Sequence, residues 1–161
     1  MFLANEILDM AVQFEKNGEA VYRSAISRVS DPTLSALLEW MAEEESRHAD
    51  GFVRLEKKIA GGRDPFSSEL SRELLGEMIG EQSFSLGEVD FSAIEHQDDL
   101  IRTFIEFEKD TIIFYEMLTP FIEDAETRAS LERIIDEENH HIDRLRVFLE
   151  HEEPLPADAD A

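Results

Sequence analysis

The sequence predicts an all-α fold. It reads as a four-helix bundle built from two repeated helix pairs, with a long crossover between helices 2 and 3. Three observations predict this. Apolar residues recur at spacings of three and four along four long stretches. Stop and start signals punctuate those stretches: Ser30-Asp31-Pro32, Gly61-Gly62, Pro120 and Asp124. The chain also repeats itself at an offset of 93 residues. Phe14-Glu15-Lys16 with Tyr22 returns as Phe107-Glu108-Lys109 with Tyr115, and Asp31 lands on Asp124. Glu45 with His48 lands on Glu138 with His141, two copies of Glu-x-x-His.

The first helix is predicted over 2 to about 29. Leu8, Ala11, Val12, Tyr22, Ala25, Ile26 and Val29 form its apolar stripe. Asp31 caps the second helix and Pro32 suits its first position, so it runs from 32 to 60. Residues 61–92 are the least regular and form the crossover, with a short helix over Ser67 to Ile79 and a loop over Gly80 to Asp90. A connection of that length lets helices 2 and 3 run parallel. The third helix spans about 92 to 118 and the fourth runs from Asp124 to about 151. The bundle therefore occupies residues 1–151. Residues 152–161 are a Pro-broken acidic tail, expected to be disordered.

With 161 residues the chain is long enough for one domain with a substantial core. Its 38 acidic and 15 basic residues give a net charge of −23, which disfavours nucleic acid and anionic membrane as partners. There is no cysteine, so disulfides, iron–sulfur clusters and Cys-based zinc or iron sites are excluded. No apolar run is long enough for a transmembrane helix, and the first residues do not read as a signal peptide. A soluble cytoplasmic protein is the expectation.

Each repeat carries one Glu on an apolar stripe and, 30 residues later, a Glu-x-x-His. Four Glu and two His from four helices are the donor set of a carboxylate-bridged two-metal site. One Glu-x-x-His on an acidic helix is weak evidence, since most such pairs lie on the surface. Two in register with two further Glu are hard to obtain by chance. The candidate ligands are Glu15, Glu45, His48, Glu108, Glu138 and His141. Neighbours compete with several of them. Glu19 also lies between apolar residues, but its repeat partner is Ile112, whereas Glu15 is matched by Glu108. Glu45 shares a stripe with Leu38 and Phe52, and Glu138 with Leu131 and Leu145. Glu44 lies with Leu37 and Gly51, and Glu137 with Ser130 and Arg144, so both read as solvated. Glu106 sits on a weaker stripe than Glu108, and His96, His140 and His151 read as surface.

Burying four carboxylates without counter-charge costs roughly several kcal/mol each. Two divalent cations balance them with both His neutral. Oxygen and imidazole donors suit two iron ions or manganese, and zinc is a possible substitute. Tyr22 and Tyr115 lie on the same faces as Glu15 and Glu108. They are placed to hydrogen-bond the ligand carboxylate of the opposite repeat, or simply to fill the core.

Phe-Glu-Lys-Asn-Gly-Glu-Ala-Val-Tyr and Ala-Glu-Glu-Glu-Ser-Arg-His-Ala resemble the ferritin-like superfamily, and within it the rubrerythrin-like group. The resemblance covers about residues 2–60 and 92–150. It implies a ferritin-like fold and a di-iron oxidoreductase that reduces hydrogen peroxide or dioxygen. The six candidates match the family's iron ligands, with Glu45 and Glu138 as the bridging pair. It also implies an external electron donor and, by analogy, a homodimer. Two departures stand out. Without cysteine the chain has no rubredoxin-type domain to deliver electrons. Rubrerythrins also carry an extra Glu one turn after the third-helix ligand, where this sequence has Thr111. The remaining set resembles symmetric bacterioferritin ferroxidase centres, which makes ferrous oxidation for storage or detoxification the alternative. A non-catalytic metal-binding bundle is a third reading.

Overall fold

A computed structural model of the protein describes residues 4–60, 93–122 and 124–152. Four long helices account for nearly all of them: α1 (Ala4–Ile26), α2 (Pro32–Ala60), α3 (Gln97–Leu118) and α4 (Ala125–Glu152). A 3-10 turn, Thr119–Phe121, follows α3 at Pro120. The described residues contain no strand and no helix long and apolar enough to cross a membrane. The expected short helix over Ser67 to Ile79, the rest of the crossover and the acidic tail lie outside the described residues.

The caps fall where the sequence places them. Asp31 Oδ1 accepts hydrogen bonds from the amides of Thr33 at 2.8 Å and Leu34 at 3.4 Å. Asp124 Oδ2 accepts from the Thr127 amide at 2.8 Å. Two helix ends differ from expectation. α1 stops at Ile26 rather than near 29, because side chains compete for its last carbonyls. Ser24 donates to the Val21 carbonyl and Ser27 to that of Ser24, while the Arg28 amide closes a tight turn onto Ala25. α3 starts at Gln97 rather than near 92, since His96 is extended (φ −106°, ψ 136°) and a helix cannot pass through it.

Helix direction follows from cross-helix contacts. Tyr22 and Glu15 of α1 meet Glu108 and Tyr115 of α3, so α1 and α3 run antiparallel. α1 and α2 are joined by a short turn and are antiparallel too. Hence α2 and α3 are parallel, with the end of α2 and the start of α3 at opposite ends of the bundle.

The core is split in two. One cluster packs Tyr22, Leu34, Leu38, Met41, Ile101, Phe104 and Leu145, and the other packs Leu8, Ala11, Phe52, Phe114, Leu118 and Leu131. Between them every helix contributes buried ionisable residues. At this middle level α1 approaches its neighbours closely: a Cβ on Gly18 would lie 3.0 Å from Phe107 Cε2 and 3.5 Å from Glu45 Cδ.

Candidate metal centre

The middle layer is a buried charged cluster. Glu15, Glu45, Glu108, Glu138 and His141 are fully buried, and His48 is 4% exposed. All six candidates meet there, in two overlapping groups. Glu15, Glu45, His48 and Glu138 each place a donor atom within 4.8 Å of the others, and so do Glu45, Glu108, Glu138 and His141. Glu45 and Glu138 belong to both groups. Glu15 with His48, and Glu108 with His141, each belong to one.

Both imidazoles turn Nδ1 inward. His48 Nδ1 lies 3.0 Å from Glu138 Oε1 and 3.5 Å from Glu15 Oε2. His141 Nδ1 lies 2.9 Å from Glu138 Oε2, 3.2 Å from Glu45 Oε1 and 3.4 Å from Glu108 Oε1. The tyrosines cross between helices. Tyr22 Oη donates to Glu108 Oε1, and Tyr115 Oη donates to Glu15 Oε1. Each tyrosine engages one oxygen of its carboxylate. The other, Oε2, accepts no well-aligned hydrogen bond in either residue, nor do both oxygens of Glu45 and Oε2 of Glu138, although the imidazoles come close to them.

The cluster's own charges work against one another. Burial raises the Glu45 carboxyl well above the usual range, and the charges of Glu138, Glu15 and Glu108 raise it further. Burial, with Glu108 and Glu15, pushes Glu138 up to about 8 against the hydrogen bonds of the two His. Burial opposes a charge on His48, but the bonds and charges of Glu138 and Glu15 win and lift it to about 11. Burial likewise opposes a charge on His141, yet Glu108 and Glu138 raise it to about 10. Glu15 and Glu108 are held low despite burial: Glu15 by bonds from Glu45, His48 and Tyr115, Glu108 chiefly by His141. Protons on the imidazoles thus do part of what cations would do.

The donor set fits metal. Five carboxylate oxygens of the four cluster Glu lack a well-aligned hydrogen-bond donor, and among the described residues the cationic partners of these Glu are imidazoles rather than Lys or Arg. Oxygen and nitrogen donors without sulfur favour iron or manganese.

The competing residues lie elsewhere. Glu19 pairs with Arg23 at 3.0 Å, Glu106 with Lys109 at 3.2 Å, and His96 and His140 are exposed. The side chain of His151 is outside the described residues. Thr111 is buried, and its hydroxyl donates to the Phe107 carbonyl at 3.0 Å.

Glu44 and Glu137 correct the sequence reading, which has them solvated. Glu44 is only 5% exposed, with the side chain of Arg47 folded onto it. Glu137 is half-buried, and its Oε2 lies 2.5 Å from His48 Nε2, on the outer side of that ring. A stripe of seven-spaced residues does not reveal the burial of Glu44, because the neighbours of Glu44 on it are Leu37 and Gly51, and a Gly offers no apolar side chain. The repeat did carry a signal, because Glu44 and Glu137 are themselves related by the offset of 93.

A four-helix bundle whose middle layer holds four buried Glu and two buried His is of the class that can hold metal between its helices. The chain belongs to the rubrerythrin family, whose model matches residues 6–149. The crystal structure of a Thermotoga maritima protein described as ferritin-like and diiron-carboxylate is similar, with a TM-score of 0.70 at 20% identity. The match covers 94% of this chain and 96% of that one. At that identity the likeness speaks for the fold. No curated protein matches the chain.

Proposed function

We propose that the six-residue cluster holds two iron ions and that the protein reduces hydrogen peroxide, or dioxygen, with electrons from an external donor. One observation carries this reading: the two four-residue groups overlap in Glu45 and Glu138. Glu45 and Glu138 would be shared by both ions, Glu15 and His48 would hold one of them, and Glu108 and His141 the other. When bound, two ferrous ions supply one electron each, which matches the two-electron reduction of peroxide to water.

The chain's own residues set the conditions for that chemistry. Tyr22 and Tyr115 each hold one oxygen of an outer carboxylate, which orients the free oxygen. Glu137 holds the outer nitrogen of His48, so that Nδ1 faces the cluster. The apolar clusters above and below exclude bulk water and strengthen every charge interaction between them. Assembly as a homodimer is part of the proposal.

The test is rapid mixing of ferrous-loaded protein with peroxide. Oxidation well above that of ferrous ion in buffer is the expected result. A protein that holds two irons and reacts no faster than the buffer control sinks the proposal. Ferrous oxidation for storage is a second reading, favoured by Thr111: its hydroxyl is committed to the backbone, leaving the symmetric set of six. Particle mass and iron per chain separate the two. Hundreds of irons per particle favour storage.

A further inference from the structure

The six cluster residues obey the offset of 93, but the outer sides of the two imidazoles do not. His48 Nε2 lies 2.5 Å from Glu137 Oε2. A ring N–H donated to a carboxylate makes a short, charge-assisted hydrogen bond. His141 is fully buried, and its Nε2 has no hydrogen-bond partner among the described residues. The ring beside it is Trp40, nearly perpendicular to the imidazole with centroids 5.2 Å apart. An indole has one N–H donor and no acceptor oxygen to offer.

Repeat symmetry would set Glu44 against His141 as Glu137 is set against His48, because Glu44 and Glu137 are related by the offset. Glu44 instead joins Glu137 on the His48 side. One donor atom from each of Glu44, His48 and Glu137 lies within 4.8 Å of the others. The other features of the two sides are matched. Tyr22 holds Glu108 and Tyr115 holds Glu15. Glu45 and Glu138 are common to both groups. An exposed arginine stands on each side, Arg47 on Glu44 and Arg144 at 4.8 Å over the Trp40 ring, and solvent screens both. What separates the sides is the outer hydrogen bond. Both imidazoles turn Nδ1 to the cluster. A carboxylate that accepts the outer N–H makes the inner nitrogen the more basic ligand.

We infer that the two metal positions are unequal. Glu137 is a positioning residue that acts through His48 and tightens the ion held with Glu15. The ion held by Glu108 and His141, whose imidazole meets Trp40 in place of a carboxylate, is bound more weakly and fills second. This rests on the two-ion reading of the cluster and assigns its ions different roles: the one beside His48 stays, and the one beside His141 leaves first. The inequality comes from outside the six ligands, so the ligand set stays symmetric while its two halves do not act alike.

Cobaltous ion tests it, since it takes the same oxygen and nitrogen donors. Metal-free protein is crystallised with one equivalent of cobaltous ion per chain, and anomalous scattering reads the occupancy at each position. In wild type the His48 position is expected to be filled about tenfold over the His141 position. Glu137→Leu removes the acceptor and should bring the two occupancies close to equal. Glu137→Gln keeps an acceptor oxygen without the charge and should fall between them. The ratio is the readout because a merely structural role for Glu137 lowers both occupancies and leaves their ratio unchanged. Equal filling in wild type, preferential filling beside His141, or a ratio unmoved by Glu137→Leu overturns the inference, and the wild-type ratio decides even if a variant does not fold. Ions at neither position under saturating cobalt overturn the two-metal reading and this inference with it, whereas two ions of equal occupancy overturn this inference alone.

Discussion

At the scale of residues, carboxylates that look alike in the sequence hold unequal positions. Glu45 and Glu138 are shared by both groups, whereas Glu15 and Glu108 belong to one each. Removing Glu15 should therefore cost one metal position, and removing Glu45 should weaken both. Titration with ferrous or cobaltous ion is expected to give about one tight ion per chain for Glu15→Ala and none for Glu45→Ala, with affinity losses on the order of 10–100-fold or more. Glu19→Ala, in the residue that competed with Glu15 on the same helix, should leave the wild-type count. An identical count for Glu15→Ala and Glu45→Ala would contradict the shared-ligand geometry.

At the scale of elements, the caps and the metal layer divide the work of stability. Asp31 and Asp124 satisfy amides at the starts of α2 and α4 and lie far from the cluster in role. Each Asp→Ala change should cost about 1 kcal/mol in denaturant unfolding of metal-free protein while leaving ion stoichiometry intact. These caps were legible because Asp-Pro and Asp-x-x-Thr act through neighbouring backbone. The ends of α1 and the start of α3 were not, since they depend on serine side chains competing for carbonyls and on the extended backbone at His96. The metal layer was legible for a different reason: each inward Glu lies between apolar residues one heptad away, and the offset of 93 selects among rivals. Glu44 escaped that logic because it is buried although Gly51, one heptad away, offers no apolar side chain.

At the scale of the whole molecule, the metal-free bundle should respond to pH through its middle layer. His48 and His141 have folded-state values of about 11 and 10, above an ordinary 6.5. Their stabilising contribution is full below pH 6.5 and is lost as pH rises through 10 to 11. Glu138, raised from 4.5 to about 8, adds to the same loss between those values. Glu15 and Glu108 are held low and act in the opposite sense, losing their contribution only as acid drops below 4.5. Thermal melts of metal-free protein are therefore expected to fall from pH 6 to pH 10. Metal displaces the imidazole protons, so the loaded protein should gain affinity with pH over the same interval and melt at a higher temperature. A metal-free melt that rises toward pH 10 would contradict this charge arrangement.

The central claim is a two-metal redox site made by these six side chains. Anaerobic titration of the metal-free protein with ferrous ion, followed by titration with peroxide on the same sample, tests it most directly. The account predicts two irons per chain and one peroxide consumed for every two irons oxidised. Binding of one iron or none, or two irons that leave peroxide unconsumed beyond the buffer rate, would contradict it.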